Sequence, residues 1–493
     1  MERAVSSRTR WLVFIFVAIL GLAVRLPQLG ARPMHTDEAV NAYIVGQLLS
    51  GEPFHYDPLD RHGPALSALA LPLARMQGAR SFAGLTESEL RLTPVVAGTI
   101  TILLFGAAVD TFGFVPCLIA ALLFAFGPLP VYYDRYFIHE SLFCALTFGL
   151  ILSIWYAAKT PTVTRAAMAG ACAALMLASK ETALLHFFAL AIALSVLWLL
   201  NRSEWGLSTR AKPGTILIAC GVFLALSVLF YTWFGRNWAA FSALWEAIPD
   251  LFARAGGQGH QKPFWYFAQL LTSGRAGAFV IALTCIGLAD GFRRRDVSTY
   301  RCLAIYFILI ATIYSLIPYK TPWLALNLWL PIALLAGRAI ELLWNLASSY
   351  TSLRVAVPVF GILAAMFAAL IAHDTHQRVF LHAADATNPY AYAHTTDDVL
   401  GLPTEISEMA QRDGISNPRI AVIAADAWPL PWYLRHFSQV GFWQPGQQPG
   451  EADFYITSTE AAEQYQAQLQ NFRPDFFGVR PGVLILLWLP APK

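Results

Sequence analysis

Four groups of ionisable residues interrupt an otherwise apolar chain, each at the end of an apolar run. The first is His35-Thr36-Asp37-Glu38-Ala39. A carboxylate at a membrane surface can serve as general base toward a hydroxyl. The simpler reading is a helix start, with Thr36 as cap and the acids in the first turn. The second is Tyr132-Tyr133-Asp134-Arg135-Tyr136-Phe137-Ile138-His139-Glu140. Ionisable groups at membrane depth are costly and mark function. Interfacial anchoring accounts for the tyrosines and the arginine, but not for Glu140 leading into an apolar run. The third is Ser179-Lys180-Glu181, where an ion pair between neighbours is the plain alternative, and the fourth is Tyr319-Lys320-Thr321-Pro322-Trp323, where Lys320 could simply snorkel to the headgroups. Carboxylates and lysines gathered at one surface suit transfer onto or from a lipid-linked phosphate: a base activates an acceptor hydroxyl, and cations stabilise the departing phosphate.

The elements that must position these groups are set by composition. Of 493 residues, 57% are hydrophobic and 13% charged, against about 45–50% and roughly 25% in a soluble domain. Such a chain cannot cover itself with charge, so lipid is its solvent. The net charge of +3 is spread along the chain, and no basic block suits nucleic acid. Apolar runs of spanning length fall at 11–29, 91–110, 113–131, 141–158, 166–179, 182–201, 214–234, 264–289, 301–317, 322–344 and 355–373. The run 64–77 is shorter, flanked by His62-Gly63-Pro64 and Arg75, and reads as an interfacial helix. That gives about eleven spans. With a cytoplasmic N-terminus, Lys159 with Arg165, Arg202 with Arg210 and Lys212, and Arg293 to Arg295 with Arg301 all fall on the inner side. The outer side then holds the loop 30–90, the turn after Val131, and 235–263 with its Gly256-Gly257-Gln258-Gly259 tip. The first run follows Arg3, Arg8 and Arg10 but lacks a cleavage site, so it reads as an uncleaved span. All six cysteines lie in or beside apolar runs and read as small core residues.

Beyond Ala372 the polarity becomes that of a soluble domain. Arg419–Ala424, Gln439–Trp443, Asp453–Thr457 and Val483–Leu487 read as strands, and Pro429–His436 and Glu460–Gln470 as helices. The expected division is 1–373, a transmembrane domain with the outer loop 30–90, and 374–493, an extracytoplasmic α/β domain. No internal repeat is visible.

The ordered set of motifs resembles the GT-C superfamily of membrane glycosyltransferases, which includes protein O-mannosyltransferases and aminoarabinose transferases. Asp37-Glu38 matches the acidic pair of the family's first outer loop, and Arg91 the arginine before its second span. Arg135 and Glu140 match the arginine and acid of the second outer loop. Lys180, and Lys320 followed by Leu330-Pro331 and Gly337, match later family positions. Within the superfamily the sequence is most similar to the flippase-activity-associated proteins, related to archaeal N-glycosylation factors. That similarity rests on His35-Thr36-Asp37-Glu38, Tyr319-Lys320-Thr321-Pro322-Trp323 and Asn388-Pro389-Tyr390-Ala391-Tyr392-Ala393-His394-Thr395-Thr396. Two positions depart: Arg61-His62-Gly63-Pro64 replaces the Lys-Pro-Pro of mannosyltransferases, and Glu140 replaces an Asp.

The resemblance implies an inverting transferase that moves a sugar from a polyprenyl-phosphate donor to a glycan, lipid or protein acceptor on the outer face of the cell membrane. Asp37 would be the base, with Glu38 and Glu140 shaping the acceptor site. Arg135, Lys180 and Lys320 would hold the donor phosphate, and His35, Asp134, His139, Glu181 and Tyr319 would be accessory. Mannosyltransferase-like relatives need no metal and oligosaccharyltransferase-like ones do. No metal is therefore assigned, and a divalent cation stays open. The rival reading is a non-enzymatic transporter or flippase-associated factor for lipid-linked sugars, which would tolerate Asp37→Asn. A blander one is a membrane anchor for the outer domain. The topology predicts that single cysteines introduced at Gln47 and at Gln411 react with an impermeant maleimide added outside intact cells. Labelling of both from the cytoplasmic side alone would overturn it.

Overall fold

The computed structural model describes residues 6–57, 61–200, 213–256, 260–293 and 298–491. The expected basic residues Arg3, Arg202, Arg210, Lys212, Arg294 and Arg295, and the Gly257-Gln258-Gly259 part of the loop tip, lie outside the described residues. Compact packing divides the chain into two units: Met1–Pro27, Pro53–Leu69 and Arg91–Leu381 form one, and Gln28–Glu52, Ala70–Leu90 and His382–Lys493 form the other. The outer loop is thus shared between them.

The larger unit is helical and membrane-spanning. Among the described residues nine helices are long and apolar enough to cross a bilayer: Ser7–Arg25, Glu87–Phe112, Glu140–Lys159, Ala183–Leu200, Pro213–Tyr231, Gly274–Arg293, Ser298–Leu316, Pro322–Tyr350 and Leu353–Leu381. Two other expected spans are shorter helices, Phe114–Phe126 and Val163–Ser179. The first stops because Gly127 and Pro128 break the ladder, and a separate six-residue helix, Pro128–Tyr133, carries the chain on to Asp134. The expected run 264–289 is likewise two helices, Tyr266–Leu271 and Gly274–Arg293. Gly274 turns the chain at φ +83°, and the Asp374 carboxylate accepts the amides of Arg275 at 2.7 Å and Ala276 at 3.1 Å. Two amides at a helix start that have no intrahelical acceptor are thereby satisfied.

Arg25, at the end of the first span, is fully buried. Its Nε and Nη2 reach Asp134 Oδ2 at 3.0 and 2.7 Å. Nη1 donates to the carbonyls of Gly21 (2.9 Å) and Ala125 (3.0 Å), and Nη2 to that of Phe124 (2.7 Å). Gly98 makes room for the pair, because a Cβ there would lie 2.0 Å from Asp134 Oδ2.

The smaller unit carries a five-stranded sheet in the order β2-β1-β3-β5-β4, with β1 Arg419–Ile423, β2 Gln439–Trp443, β3 Phe454–Ser458, β4 Phe472–Arg480 and β5 Val483–Pro490. β1 pairs in parallel with β2 and β3, while β5 runs antiparallel between β3 and β4. β4 was not expected from the sequence, since Pro474, Asp475 and Gly478 read as breakers. It is an edge strand, where proline is tolerated. Helix Leu402–Arg412 also escaped the sequence reading, while the expected helices shorten to Leu430–Tyr433 and to Thr459–Gln464 with Gln466–Leu469. Helix Thr36–Leu49 joins this unit: Met34 N donates to Tyr433 Oη at 2.7 Å, and Thr395 Oγ1 to the Met34 carbonyl at 2.7 Å.

Removing one partner of a buried ion pair costs about 3–5 kcal/mol, because the other charge is stranded. Asp134→Ala is therefore expected to lower the thermal midpoint of the detergent-solubilised protein sharply. The double variant Arg25→Met/Asp134→Leu, which removes both charges, should lose far less. Equal losses would show that the pair is not what holds these helices.

Candidate functional site

The residues singled out from the sequence fall into two sets, one in each unit. In the membrane unit the expected pairing of Lys180 with its neighbour does not occur. Lys180 closes helix Val163–Ser179, and its Nζ meets Glu140 Oε1 at 2.5 Å, with both side chains nearly or fully buried. Glu140 opens the helix immediately before it, Glu140–Lys159, so the pair ties the start of one helix to the end of the next. Lys180 also lies within electrostatic range of Tyr319 and Glu181.

Glu181 is occupied elsewhere: Tyr56 Oη donates to Oε1 at 2.7 Å and His62 Nδ1 to Oε2 at 2.9 Å. Burial alone would raise its pKa. The charge of His62 and the hydrogen bonds from His62 and Tyr56 outweigh that and hold it at about 2. His139 stacks edge-on against His62 with ring centroids 5.2 Å apart. Burial first, then the neighbouring His62 and Lys180 cations, push its pKa well down and keep it neutral.

Lys320 sits in a short clamp where residues 260–262 run beside 318–320. Its amide donates to the His260 carbonyl at 3.1 Å, Lys262 N donates to the Pro318 carbonyl at 3.1 Å, and Gln261 bridges Tyr319. Lys320 Nζ donates to the carbonyls of Ile317 (2.6 Å) and Lys262 (3.1 Å). Its partners are neutral, so its charge is not cancelled by them. Arg135 is buried, with Nη1 bonded to the carbonyls of Arg25 and Pro27 at 2.6 Å each and the guanidinium 4.8 Å from the Phe380 ring. Asp134 is bound to Arg25.

The second set starts helix Thr36–Leu49. Thr36 was expected to cap it, but the cap is His35. Its Nδ1 accepts the Asp37 amide at 3.0 Å, and the Glu38 carboxylate accepts the His35 amide at 3.1 Å. This is a capping box with an imidazole in place of a hydroxyl. His35 Nε2 donates to the Tyr392 carbonyl at 2.9 Å, which fixes the tautomer. Burial lowers its pKa, partly offset by Asp37 and Glu38, so the ring is neutral. Glu38 is fully buried, with Arg32 3.8 Å away. Asp37 is different: its side chain is 46% exposed, and its Oδ1 lies 4.0 Å from Nδ1 of the His35 ring. The bland role expected for the acidic pair belongs to Glu38, and Asp37 keeps an open carboxylate.

Sequence reasoning passed over Arg25, Tyr56, His62 and Arg32. His62 did carry a signal, since it stands where mannosyltransferases have lysine and proline. Among the described residues no three His, Cys, Asp or Glu side chains converge as a metal site.

No family model and no curated protein matches the sequence. Solved structures do. ArnT from Cupriavidus metallidurans bound to undecaprenyl phosphate matches with a TM-score of 0.67 at 16% identity, over 98% of this chain and 99% of that one. An Archaeoglobus fulgidus oligosaccharyltransferase in the apo form matches with a TM-score of 0.60 at 13% identity, over 98% and 76%. The archaeal oligosaccharyltransferase AglB in complex with an inhibitory peptide and a dolichol-phosphate matches with a TM-score of 0.57 at 14% identity, over 98% and 76%. The chain shares the fold of these structures over 98% of its length.

The depressed pKa of Glu181 sets a pH prediction. A folded-state value near 2 lies below the roughly 4.3 of a free Glu. The pair therefore stabilises the fold fully above that free value, and the contribution fades as pH falls toward the folded one. The stability gap between wild type and Glu181→Gln, read as thermal midpoints, should narrow steadily from pH 5 downward, by an amount set by about 1.4 kcal/mol per pH unit at most. A gap that stayed constant across that range would contradict it.

Proposed function

We propose that this GT-C-fold chain moves a sugar from a polyprenyl-phosphate donor to an acceptor hydroxyl on the extracytoplasmic face, with inversion at the anomeric carbon. The observation that carries the reading is the division of labour at the start of helix Thr36–Leu49: His35 and Glu38 cap it, and Asp37 presents a half-exposed carboxylate. A helix start needs no such carboxylate, whereas proton removal from a hydroxyl does.

In this reading Asp37 takes the acceptor proton as the hydroxyl attacks. Lys320 supplies charge to the donor phosphate, since its ammonium is bonded to neutral carbonyls. Lys180 and Arg135 act as further donors to the phosphate, and the Lys180–Glu140 pair keeps Lys180 extended at the end of its helix. Cations fixed beside the bond that breaks stabilise charge that grows in the transition state without reorganising. Glu38 and Glu140 shape the site, and His35, Asp134, His139, Glu181 and Tyr319 support it. The likeness to a protein crystallised with undecaprenyl phosphate supports a lipid-phosphate donor.

The test is transfer of radiolabelled sugar from a polyprenyl-phosphate donor by the purified protein in nanodiscs. Asp37→Asn should lower turnover about 10²–10⁴-fold with donor binding mostly kept. Lys320→Met, which keeps the stem, should weaken donor binding as well. If Asp37→Asn left the rate at saturating donor unchanged, Asp37 would not be the base, and the flippase-associated role would gain.

A further inference from the structure

One pair of the membrane unit enters that scheme only through the supporting role of Glu181, and its other member, His62, has no part in it. His62 and Glu181 form a carboxylate–imidazole pair at 2.9 Å. The second carboxylate oxygen is held by Tyr56 at 2.7 Å, so Glu181 is fully used as an acceptor and fixes the ring. His62 Nδ1 is committed to Glu181, while its Nε2 makes no hydrogen bond among the described residues. The side chain is 33% exposed, against 13% for Glu181. A carboxylate bonded to one ring nitrogen orients the imidazole and stabilises the imidazolium, leaving the other nitrogen to carry a transferable proton.

The placement of His62 is enforced by its neighbour. A Cβ at Gly63 would stand 2.2 Å from the Ala178 carbonyl oxygen. Only glycine lets this segment lie against the end of helix Val163–Ser179, beside Lys180 and Glu181. Tyr56 is pinned against Tyr231, with ring centroids 5.1 Å apart, and the Phe54 carbonyl accepts Asn237 Nδ2 at 2.9 Å. The charged and titratable groups around His62 are Glu181 and Tyr56 on one side and His139 with Lys180 beyond it, Lys180 being neutralised by Glu140. Its own segment adds Arg61 and Asp57. A strut alone would need neither the second nitrogen nor its access to solvent.

We infer that His62, oriented by Glu181, is the general acid that protonates the departing lipid phosphate. This rests on the transfer reading above. The bond between the anomeric carbon and the phosphate oxygen breaks as the bond to the acceptor oxygen forms. The acceptor proton goes to the base. The Nε2 proton of His62 goes to a phosphate oxygen, so the lipid leaves as a phosphate monoester of one negative charge. His62 is then neutral and regains its proton from water. An imidazole suits this work because it titrates in the neutral range, where a phosphate monoester dianion also takes up a proton to become a monoanion.

The variant that isolates the acid is His62→Asn, whose amide nitrogen can replace Nδ1 toward Glu181 while nothing replaces Nε2. Transfer by wild type and His62→Asn should be followed from pH 5.5 to 9 with saturating donor, alongside pH-dependent binding of the polyprenyl phosphate product. The rate of wild type should fall at alkaline pH. His62→Asn should be slower by about 10²-fold at neutral pH, near the low end for a lost general acid, and should lack the alkaline fall. Imidazole should restore part of the rate of His62→Ala. An unchanged alkaline limb in His62→Asn, whatever its rate, or a change in KM alone, would overturn the acid role. A wild type that binds the lipid phosphate yet transfers no sugar from any donor would instead defeat the transfer reading, and this inference with it.

Discussion

A charge inside a helical bundle surrounded by lipid must meet its opposite or a full set of dipoles, because desolvation otherwise costs several kcal/mol per ion. Several ion pairs of the membrane unit obey this. Arg25 meets Asp134, Lys180 meets Glu140, and Arg338 meets Asp290 at 2.9 Å and Glu341 at 2.6 Å. The Arg25–Asp134 and Arg338–Asp290 pairs join segments far apart in sequence and the Lys180–Glu140 pair joins two consecutive helices, so the pairing fixes which helix ends come together. The close approaches at glycine serve the same end. Gly98 opens the space that Asp134 fills, and Gly287 brings its helix against the Leu335 carbonyl, 2.1 Å from where a Cβ would stand.

The same constraint separates groups that hold the fold from groups left for chemistry. Asp134, Glu38 and Glu140 have their oxygens taken by a guanidinium, a cap or an ammonium. Asp37, Nε2 of His62 and the Lys320 ammonium are each left with unspent capacity. Under the proposed reading, a half-exposed base and a cation held by neutral groups are what transfer at a membrane surface requires.

The spans were legible because a bilayer demands about twenty apolar residues per crossing, a signal that survives without knowledge of any contact. The sheet strands β1, β2, β3 and β5 were legible for a similar reason, as short apolar runs between turn residues. What failed is instructive. The run 264–289 was read through Thr272-Ser273-Gly274-Arg275, a polar and glycine interruption at which the helix breaks. The edge strand β4 carries breakers that only an edge permits. His35 was overlooked as a cap because its imidazole stands in for the usual hydroxyl. Lys180 was read against Glu181, its neighbour, whereas its partner is Glu140. Through-space pairing has no local sequence signature, and for that reason the partners of these side chains were not legible.

Charge balance gives the last step. A polyprenyl-phosphate sugar is a phosphodiester with one negative charge. In the membrane unit Lys180 is cancelled by Glu140 and Arg25 by Asp134, while Lys320 faces only the carbonyls of Ile317 and Lys262. Arg135 too is held by carbonyls, those of Arg25 and Pro27. In the proposed reaction the phosphate becomes a monoester as the glycosidic bond breaks and gains a second charge, which calls for a further cation or for a proton. Breaking the Lys180–Glu140 pair would strand a buried carboxylate, so proton delivery is the less costly route. In the proposed scheme that proton comes from the imidazole of His62, which is bonded to Glu181.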